Sequence, residues 1–193
     1  DCGAGNDVLS GGTKQADLAD HIYGGTGNDS IDGGYGNDEL HGGEDDDEIS
    51  GGFGSDTMAG NQGDDHLDGQ ALSDLMFGGD GDDYLNGGFG FDRMNGGAGA
   101  DQYFHLGVED HGSDWIQDYN AAEGDVLVFG NAGASADQFQ VNVVETPFAG
   151  QADVAEAFVI YQPTGQIMWA LVDGAAQDEI NIAIGGETFD LLA

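Results

Sequence analysis

The sequence predicts an all-β chain: a parallel β-roll of right-handed coils, each made of two nine-residue units, followed by a β-rich C-terminal cap. Three observations carry that prediction. From Gly24 to Phe104 the chain repeats Gly-Gly-x-Gly-x-Asp-x-U-x, with U apolar, in one unbroken frame whose units begin at Gly24, Gly33, Gly42, Gly51, Gly60, Gly69, Gly78, Gly87 and Gly96. The eighth slot is apolar throughout, Ile31, Leu40, Ile49, Met58, Leu67, Met76, Leu85, Met94 and Tyr103, as an inward-facing stack requires. After Phe104 the repeats stop and β-branched and aromatic residues rise.

Residues 1–23 read as an N-terminal coil with an irregular insertion. One complete unit runs from Cys2 to Ser10 with Asp7 in its sixth slot; Gly11 to Tyr23 is four residues too long, although Asp20 and Ile22 still fit the sixth and eighth slots. The excess is expected to loop out, carrying Lys14. Residues 24–104 form the roll proper. Three residues centred on each eighth slot, such as Ser30, Ile31 and Asp32, suit a very short strand with the central side chain inward. The other six are expected to turn, because glycine permits positive φ and lets carbonyls converge. Two units make a coil of about eighteen residues, stacked at roughly 4.8 Å. The sixth-slot carboxylates then line two edges, Asp29, Asp47, Asp65, Asp83 and Asp101 on one, Asp38, Asp56, Asp74 and Asp92 on the other.

Bare carboxylates in such a row repel by up to about 4 kcal/mol per pair at about 4 Å with an effective dielectric near 20. Lys14 and Arg93 are the only basic residues against 38 acidic ones, and the formal net charge is −36, so the countercharge comes from solution. Carboxylate and carbonyl oxygens without Cys or clustered His select a hard cation, and an irregular, carbonyl-rich turn favours Ca²⁺ over Mg²⁺. The expected ligands are the side chains of Asp7, Asp20 and the nine ladder aspartates. The turn backbone at Gly25, Gly27, Gly34, Gly36, Gly43, Gly52, Gly54, Gly63, Gly79, Gly81, Gly88, Gly90, Gly97 and Gly99 is expected to supply carbonyls. Without the cation, so acidic and glycine-rich a chain suits disorder.

These units resemble the RTX, or hemolysin-type, calcium-binding nonapeptide family. Counted as intervals between stacked turns in the manner of that family's rolls, about seven structural calcium ions are expected. The resemblance also implies a bacterial protein secreted by a type I channel and folded outside the cell.

Residues 105–193 are expected to cap the roll, since a stack of coils leaves an open apolar end. Strands are expected at 115–117, 126–129, 139–144, 157–162, 167–172, 180–184 and 188–191, with turns at Pro163-Thr164-Gly165 and Asp173-Gly174. Asp114-Trp115-Ile116-Gln117-Asp118-Tyr119 followed by Gly124-Asp125-Val126 is similar to the stretch that closes the rolls of serralysin-type proteases. That similarity makes Asp118 and Asp125 further candidate ligands. The ending Phe189-Asp190-Leu191-Leu192-Ala193 resembles the uncleaved secretion signal of such proteins. The chain opens at Asp1-Cys2 within a repeat and reads as a piece of a larger protein, whose upstream domain and export machinery are its expected partners.

Several units depart from the pattern. Asp45 replaces a fourth-slot glycine and Asn61 a second-slot one, while Gln70 and Leu72 occupy two glycine slots of one unit. Sites touching Gln70 to Asp74 are therefore expected to be the weakest. Third slots differ between edges: Tyr35, Phe53, Ala71 and Phe89 on one, Thr26, Glu44, Gln62, Asp80 and Ala98 on the other. Fifth slots reinforce this, with Phe91 on the aromatic edge and Asp46, Asp64 and Asp82 on the acidic one. Tyr35, Phe53, Phe89 and Phe91 either cover glycine-rich backbone or contact a surface ligand, as in an adhesive module.

Other classes are disfavoured. The acidity opposes nucleic acid and anionic membranes. No apolar run approaches the roughly eighteen residues of a span, and the single Cys2 rules out a disulfide framework. No His-Glu-x-x-His helix, Gly-x-Ser-x-Gly elbow or phosphate loop occurs, so enzymatic activity is not expected in this segment, although a missing upstream part could be an enzyme. His21, His41, His66, His105 and His111 are scattered, with His41 and His66 in outward slots.

Overall fold

A computed structural model describes residues 2–14, 19–108, 111–144 and 155–193. The repeat units become strands because every eighth-slot side chain points inward. In chain order the roll comprises β1 (Gly3–Ala4), β2 (Val8–Gly12), β3 (His21–Thr26), β4 (Ser30–Tyr35), β5 (Glu39–Glu44), β6 (Glu48–Phe53), β7 (Thr57–Gln62), β8 (His66–Ala71), β9 (Leu75–Asp80), β10 (Tyr84–Asn86), β11 (Arg93–Ala98) and β12 (Gln102–His105). The cap adds β13 (Asp114–Ile116), β14 (Val126–Phe129), β15 (Phe139–Val144), β16 (Glu156–Tyr161), β17 (Gln166–Leu171), β18 (Asn181–Ile184) and β19 (Glu187–Asp190).

Alternate strands separate into two sheets, ordered β1-β3-β5-β7-β9-β11-β13-β17-β16-β15 and β19-β18-β14-β12-β10-β8-β6-β4-β2 among the described residues. Within the repeats every pairing is parallel, with Ile31 opposite Ile49 and Leu40 opposite Met58, the register that two nonapeptides per coil demand. The chain is a parallel β-roll. Between the sheets Leu40, Ile49, Met58, Leu67, Met76, Leu85, Met94 and Tyr103 are completely buried.

The strands are longer than the three residues expected. Most continue through the first three slots of the next unit, as in Ser30–Tyr35, because Gly34 still pairs with Gly52 and Tyr35 with Phe53, whereas β10 keeps the three residues Tyr84–Asn86. The chain leaves the ladder only at the fourth slot, so the turn proper is slots four to six. The N-terminal irregularity is absorbed as expected. Leu9 lies opposite Ile31, twenty-two residues on, whereas Ile22 lies opposite Leu40 at the regular eighteen. Residues 15–18 of that insertion lie outside the described residues.

All seven strands expected after residue 104 are present, within a residue or two of their expected ends. They extend the roll rather than plug it: β13 stacks in parallel on β11, β14 on β12, then β17 on β13 and β18 on β14. Antiparallel neighbours β16 and β15 then border one sheet and β19 the other. Gly165, at φ 73°, makes the β16–β17 turn and donates its N–H to the Tyr161 carbonyl at 2.9 Å. Phe129, Phe139, Tyr161 and Trp169 pack ring to ring and close the apolar end.

The irregular units keep the regular backbone at a cost. Asp45, Asn61, Gln70 and Leu72 all have positive φ, 76°, 86°, 70° and 84°. Asn and Asp tolerate this region; Leu and Gln do not. Leu72→Gly is therefore expected to raise stability in saturating calcium by about 1 kcal/mol. Urea unfolding checks this, and the neighbouring Ala71→Gly, which relieves no positive φ, is expected to give no gain.

Candidate metal centre

On both edges the sixth-slot aspartates form continuous ladders. Each Oδ1 accepts the backbone N–H of the aspartate one coil earlier. Asp29, Asp47, Asp65 and Asp83 donate in turn to Asp47, Asp65, Asp83 and Asp101, at 2.8 to 3.0 Å. Asp38, Asp56 and Asp74 donate to Asp56, Asp74 and Asp92 at 2.8 to 2.9 Å. Upstream, Asp7 donates to Asp29 and Asp20 to Asp38. Asp74 keeps the same ladder bonds as its neighbours, so any weakness of its unit lies in the strain at Gln70 and Leu72 rather than in carboxylate placement.

The second oxygen is what the hydrogen bonds leave over. Oδ2 of Asp29, Asp38, Asp47, Asp56, Asp65, Asp74, Asp83 and Asp92 is buried without a hydrogen-bond partner. It turns toward the first-slot glycine of its own unit. A Cβ on Gly33 would sit 2.8 Å from Asp38 Oδ2, and one on Gly51 2.6 Å from Asp56 Oδ2. The three glycines of a unit thus have two different roles: the second and fourth mostly adopt positive φ, whereas the first makes room for a carboxylate.

A buried carboxylate oxygen with no donor calls for a cation or a proton. Burial, opposed by the ladder N–H and reinforced by neighbouring carboxylates, pushes these acids up: Asp47 and Asp56 to about 6, Asp65, Asp83 and Asp101 to about 7, and Asp74 to about 8. Among the described residues no three His, Cys, Asp or Glu side chains form a group able to hold a metal. A cation here would therefore need backbone carbonyls beside its carboxylates, a hard-oxygen donor set that fits Ca²⁺.

These raised values set the pH dependence. Without a cation, the buried acids favour the fold fully only below the ordinary carboxylate range near 4. That contribution is lost as pH rises through about 6 to 8. With calcium, protons compete for the same oxygens. Because either occupant stabilises the folded chain, the calcium concentration at half-folding is expected to fall between pH 8 and pH 5, read by circular dichroism; a flat midpoint would contradict buried carboxylates as ligands.

The profile of the RTX calcium-binding nonapeptide repeat, four copies, matches residues 3–13, 16–49, 41–76 and 77–107, just over half of the chain. The chain belongs to the RTX family. RTX nonapeptide repeats bind calcium, and the ladders are their carboxylates set out in space. Among solved structures, the solution structure of the AlgE6R3 subunit from the Azotobacter vinelandii mannuronan C5-epimerase is similar, with 21% identity over 90% of this chain and 82% of that one and a TM-score of 0.42. No curated protein matches the chain.

The RTX roll carries features beyond its motif. On the acidic edge the fifth slots build a second, exposed ladder in the opposite sense: Asp46 accepts from Asp64, Asp64 from Asp82 and Asp82 from Ala100, at 2.8 to 3.0 Å. The aromatic edge is a row of rings, Tyr35 stacked on Phe53 at 4.9 Å and Phe89 against His111 at 4.6 Å, with Phe91 exposed. Asp118 accepts hydrogen bonds from Gly96, Gly97 and the Tyr103 hydroxyl. Asp125 accepts from Asp101 and Asn120. Neither presents an unpartnered buried oxygen, which sets both apart from the eight ladder aspartates from Asp29 to Asp92.

Sequence reasoning passed over Asp114, whose Oδ1 lies 3.4 Å from the Asp92 N–H and whose Oδ2 is buried without a hydrogen-bond partner. Its signal was the Asp114-x-Ile116 spacing, which copies slots six and eight. It also missed that His105 and His111 meet at 4.7 Å beneath the cap, both buried, with burial lowering His105 to about 4. Among the described residues no helix is long and apolar enough to cross a membrane.

Proposed function

We propose that this chain is a calcium-driven folding and export module of a larger secreted protein. The observation that carries the reading is the row of buried Oδ2 atoms without donors on both edges. In the cation-free chain these carboxylates repel, and each nonapeptide is too small to bury a core alone. Ladder aspartates and turn carbonyls would hold the ions, about seven by the intervals within the repeats. Bound calcium supplies the countercharge that lets consecutive coils close. Weak sites suffice outside a cell, where such modules bind at about 10⁻⁴ to 10⁻³ M. A chain unfolded at low calcium is suited to a type I channel, with Phe189–Ala193 as its signal, and folds on leaving it.

Equilibrium dialysis with radiolabelled calcium tests the reading: several ions per chain are expected, and one or none would overturn it. An adhesive module using Tyr35, Phe53 and Phe89 is the second reading. The Tyr35–Phe53 stack supplies its surface, yet stacked rings also shield each other and the turn backbone, which favours the folding module.

A further inference from the structure

We infer that the cleft where the aromatic edge meets the cap binds an uncharged, hydroxyl-rich ligand, a sugar ring of a neutral glycan. The site needs a folded roll and so rests on the calcium-driven reading. It lies apart from the Tyr35–Phe53 stack of the adhesive alternative and has its own chemistry.

The cleft encloses about 410 Å³, inside the roughly 300–1,000 Å³ of small-molecule sites. Two stretches far apart in sequence wall it. Phe91, His111 and Ser113 stand on the roll side, and Thr164, Gly165 and Gln166 of the β16–β17 turn stand opposite. The walls are tied to each other: Gln166 Nε2 donates to the Gly112 carbonyl at 2.7 Å, and Ser113 Oγ donates to the Ile167 carbonyl. Behind them Gly90 donates its N–H to the His111 carbonyl at 3.0 Å, and the buried His111 ring packs against Phe89 at 4.6 Å. The cleft is therefore formed by the fold itself.

Charge decides the class of ligand. The chain carries −36, yet no acidic or basic residue lines the cleft, and burial lowers His111 so that its imidazole is neutral at pH 7. The edge running away from it is uncharged too: Phe89-Gly90-Phe91, Ala71-Leu72-Ser73, Phe53-Gly54-Ser55 and Tyr35-Gly36-Asn37 fill its third to fifth slots. The opposite edge has Glu44-Asp45-Asp46 and Asp80-Gly81-Asp82 in the same slots. A cation is drawn to that acidic edge, and an anion finds no basic partner here and is repelled by the whole molecule.

The wall chemistry narrows the choice among neutral ligands. Phe91 is 67% exposed and stacks on no other ring among the described residues, which leaves it free to meet the C–H face of a pyranose. Beside it Ser113 keeps acceptor lone pairs, and Gln166 keeps its amide oxygen and a second N–H beyond the bonds already named. A purely apolar ligand would desolvate these groups without pairing them. A sugar ring offers an apolar face to Phe91 and hydroxyls to the amide and the serine. Further rings of the same glycan have the uncharged edge to follow, one coil every 4.8 Å or so.

Affinity electrophoresis of the intact, calcium-loaded chain through gels containing dextran, mannan, xylan or galactan tests the site, with polygalacturonate as the anionic control. Retardation is expected in at least one neutral gel and not in polygalacturonate. Phe91→Ala should weaken it about tenfold, the loss of one aromatic platform, and Gln166→Ala several-fold, while Phe53→Ala leaves it nearly unchanged. The far-UV calcium midpoint should stay at the wild-type value in Phe91→Ala, whose ring is exposed. A folded chain that no neutral gel retards would overturn the site. Retardation that survives Phe91→Ala but is lost in Phe53→Ala would also overturn it, and would leave the adhesive reading standing on the Tyr35–Phe53 stack. Sedimentation showing wild type self-associated and Phe91→Ala monomeric would assign the edge to a second copy of the chain and overturn it equally. A chain that calcium fails to fold, seen in its far-UV spectrum, would overturn the module reading and the site with it.

Discussion

In chelator the chain is expected to expand from a radius of gyration near the roughly 16 Å of a compact body of its length toward the roughly 47 Å of an unfolded one, with the elongated roll starting somewhat above the lower figure. Small-angle scattering reads the change. The cause is local before it is global. Each interval, such as Asp47–Asp65, holds a hydrogen-bonded Oδ1 and a buried Oδ2 with no donor, so closing two coils without a cation means burying unpaired charge. The eighth-slot stack opposes this with one aliphatic side chain per unit, while glycine contributes no side chain and loses the most entropy on ordering. Added sodium chloride is expected to restore little, because screening over about 10 Å at about 0.1 M acts on exposed charges far more than on buried ones. A chain equally compact in chelator would show that β13 to β19 hold the roll unaided.

Replacing Gly60 by alanine is expected to damage calcium-driven folding as much as Asp65→Ala does. Gly60 is a buried first-slot residue, and a Cβ there would come within 2.6 Å of Asp65 Cγ and 2.8 Å of its Cβ. Asp65 accepts from Asp47 and donates to Asp83, both at 2.8 Å, so displacing it disturbs two intervals. Overpacking of this kind costs about 1–3 kcal/mol, and the calcium midpoint should rise several-fold. Gly133→Ala in the cap, where the nearest atom lies 3.3 Å from the added Cβ and φ is not positive, should change little. A wild-type midpoint in Gly60→Ala would mean that Asp65 Oδ2 is not a ligand position.

Much of this architecture was legible because two slots are nearly constant. Asp at six and an apolar residue at eight fix which side chain enters the core and which lines the edge, so the Ile31–Ile49 register and both ladders followed from counting. What was not legible depended on atoms rather than spacing. The first-slot glycine looks like the second in sequence, yet only the fold shows that Gly60 clears Asp65 while Gly79 bends the backbone at φ 130°. Asp114 escaped notice because its coil is four residues longer than the repeat and lacks the leading glycines. His105 and His111 meet at 4.7 Å with Trp169 of β17 edge-on to His105 at 5.7 Å, a tertiary placement that no local spacing encodes.

The most direct test is a far-UV circular dichroism titration of the full chain from chelator into calcium, with light scattering to exclude aggregation and magnesium as the control. Calcium coordination by the ladders predicts a steep gain of β signal near the 10⁻⁴ to 10⁻³ M typical of extracellular calcium modules, and none with magnesium. A complete β spectrum in chelator, or an equal response to magnesium, would contradict it.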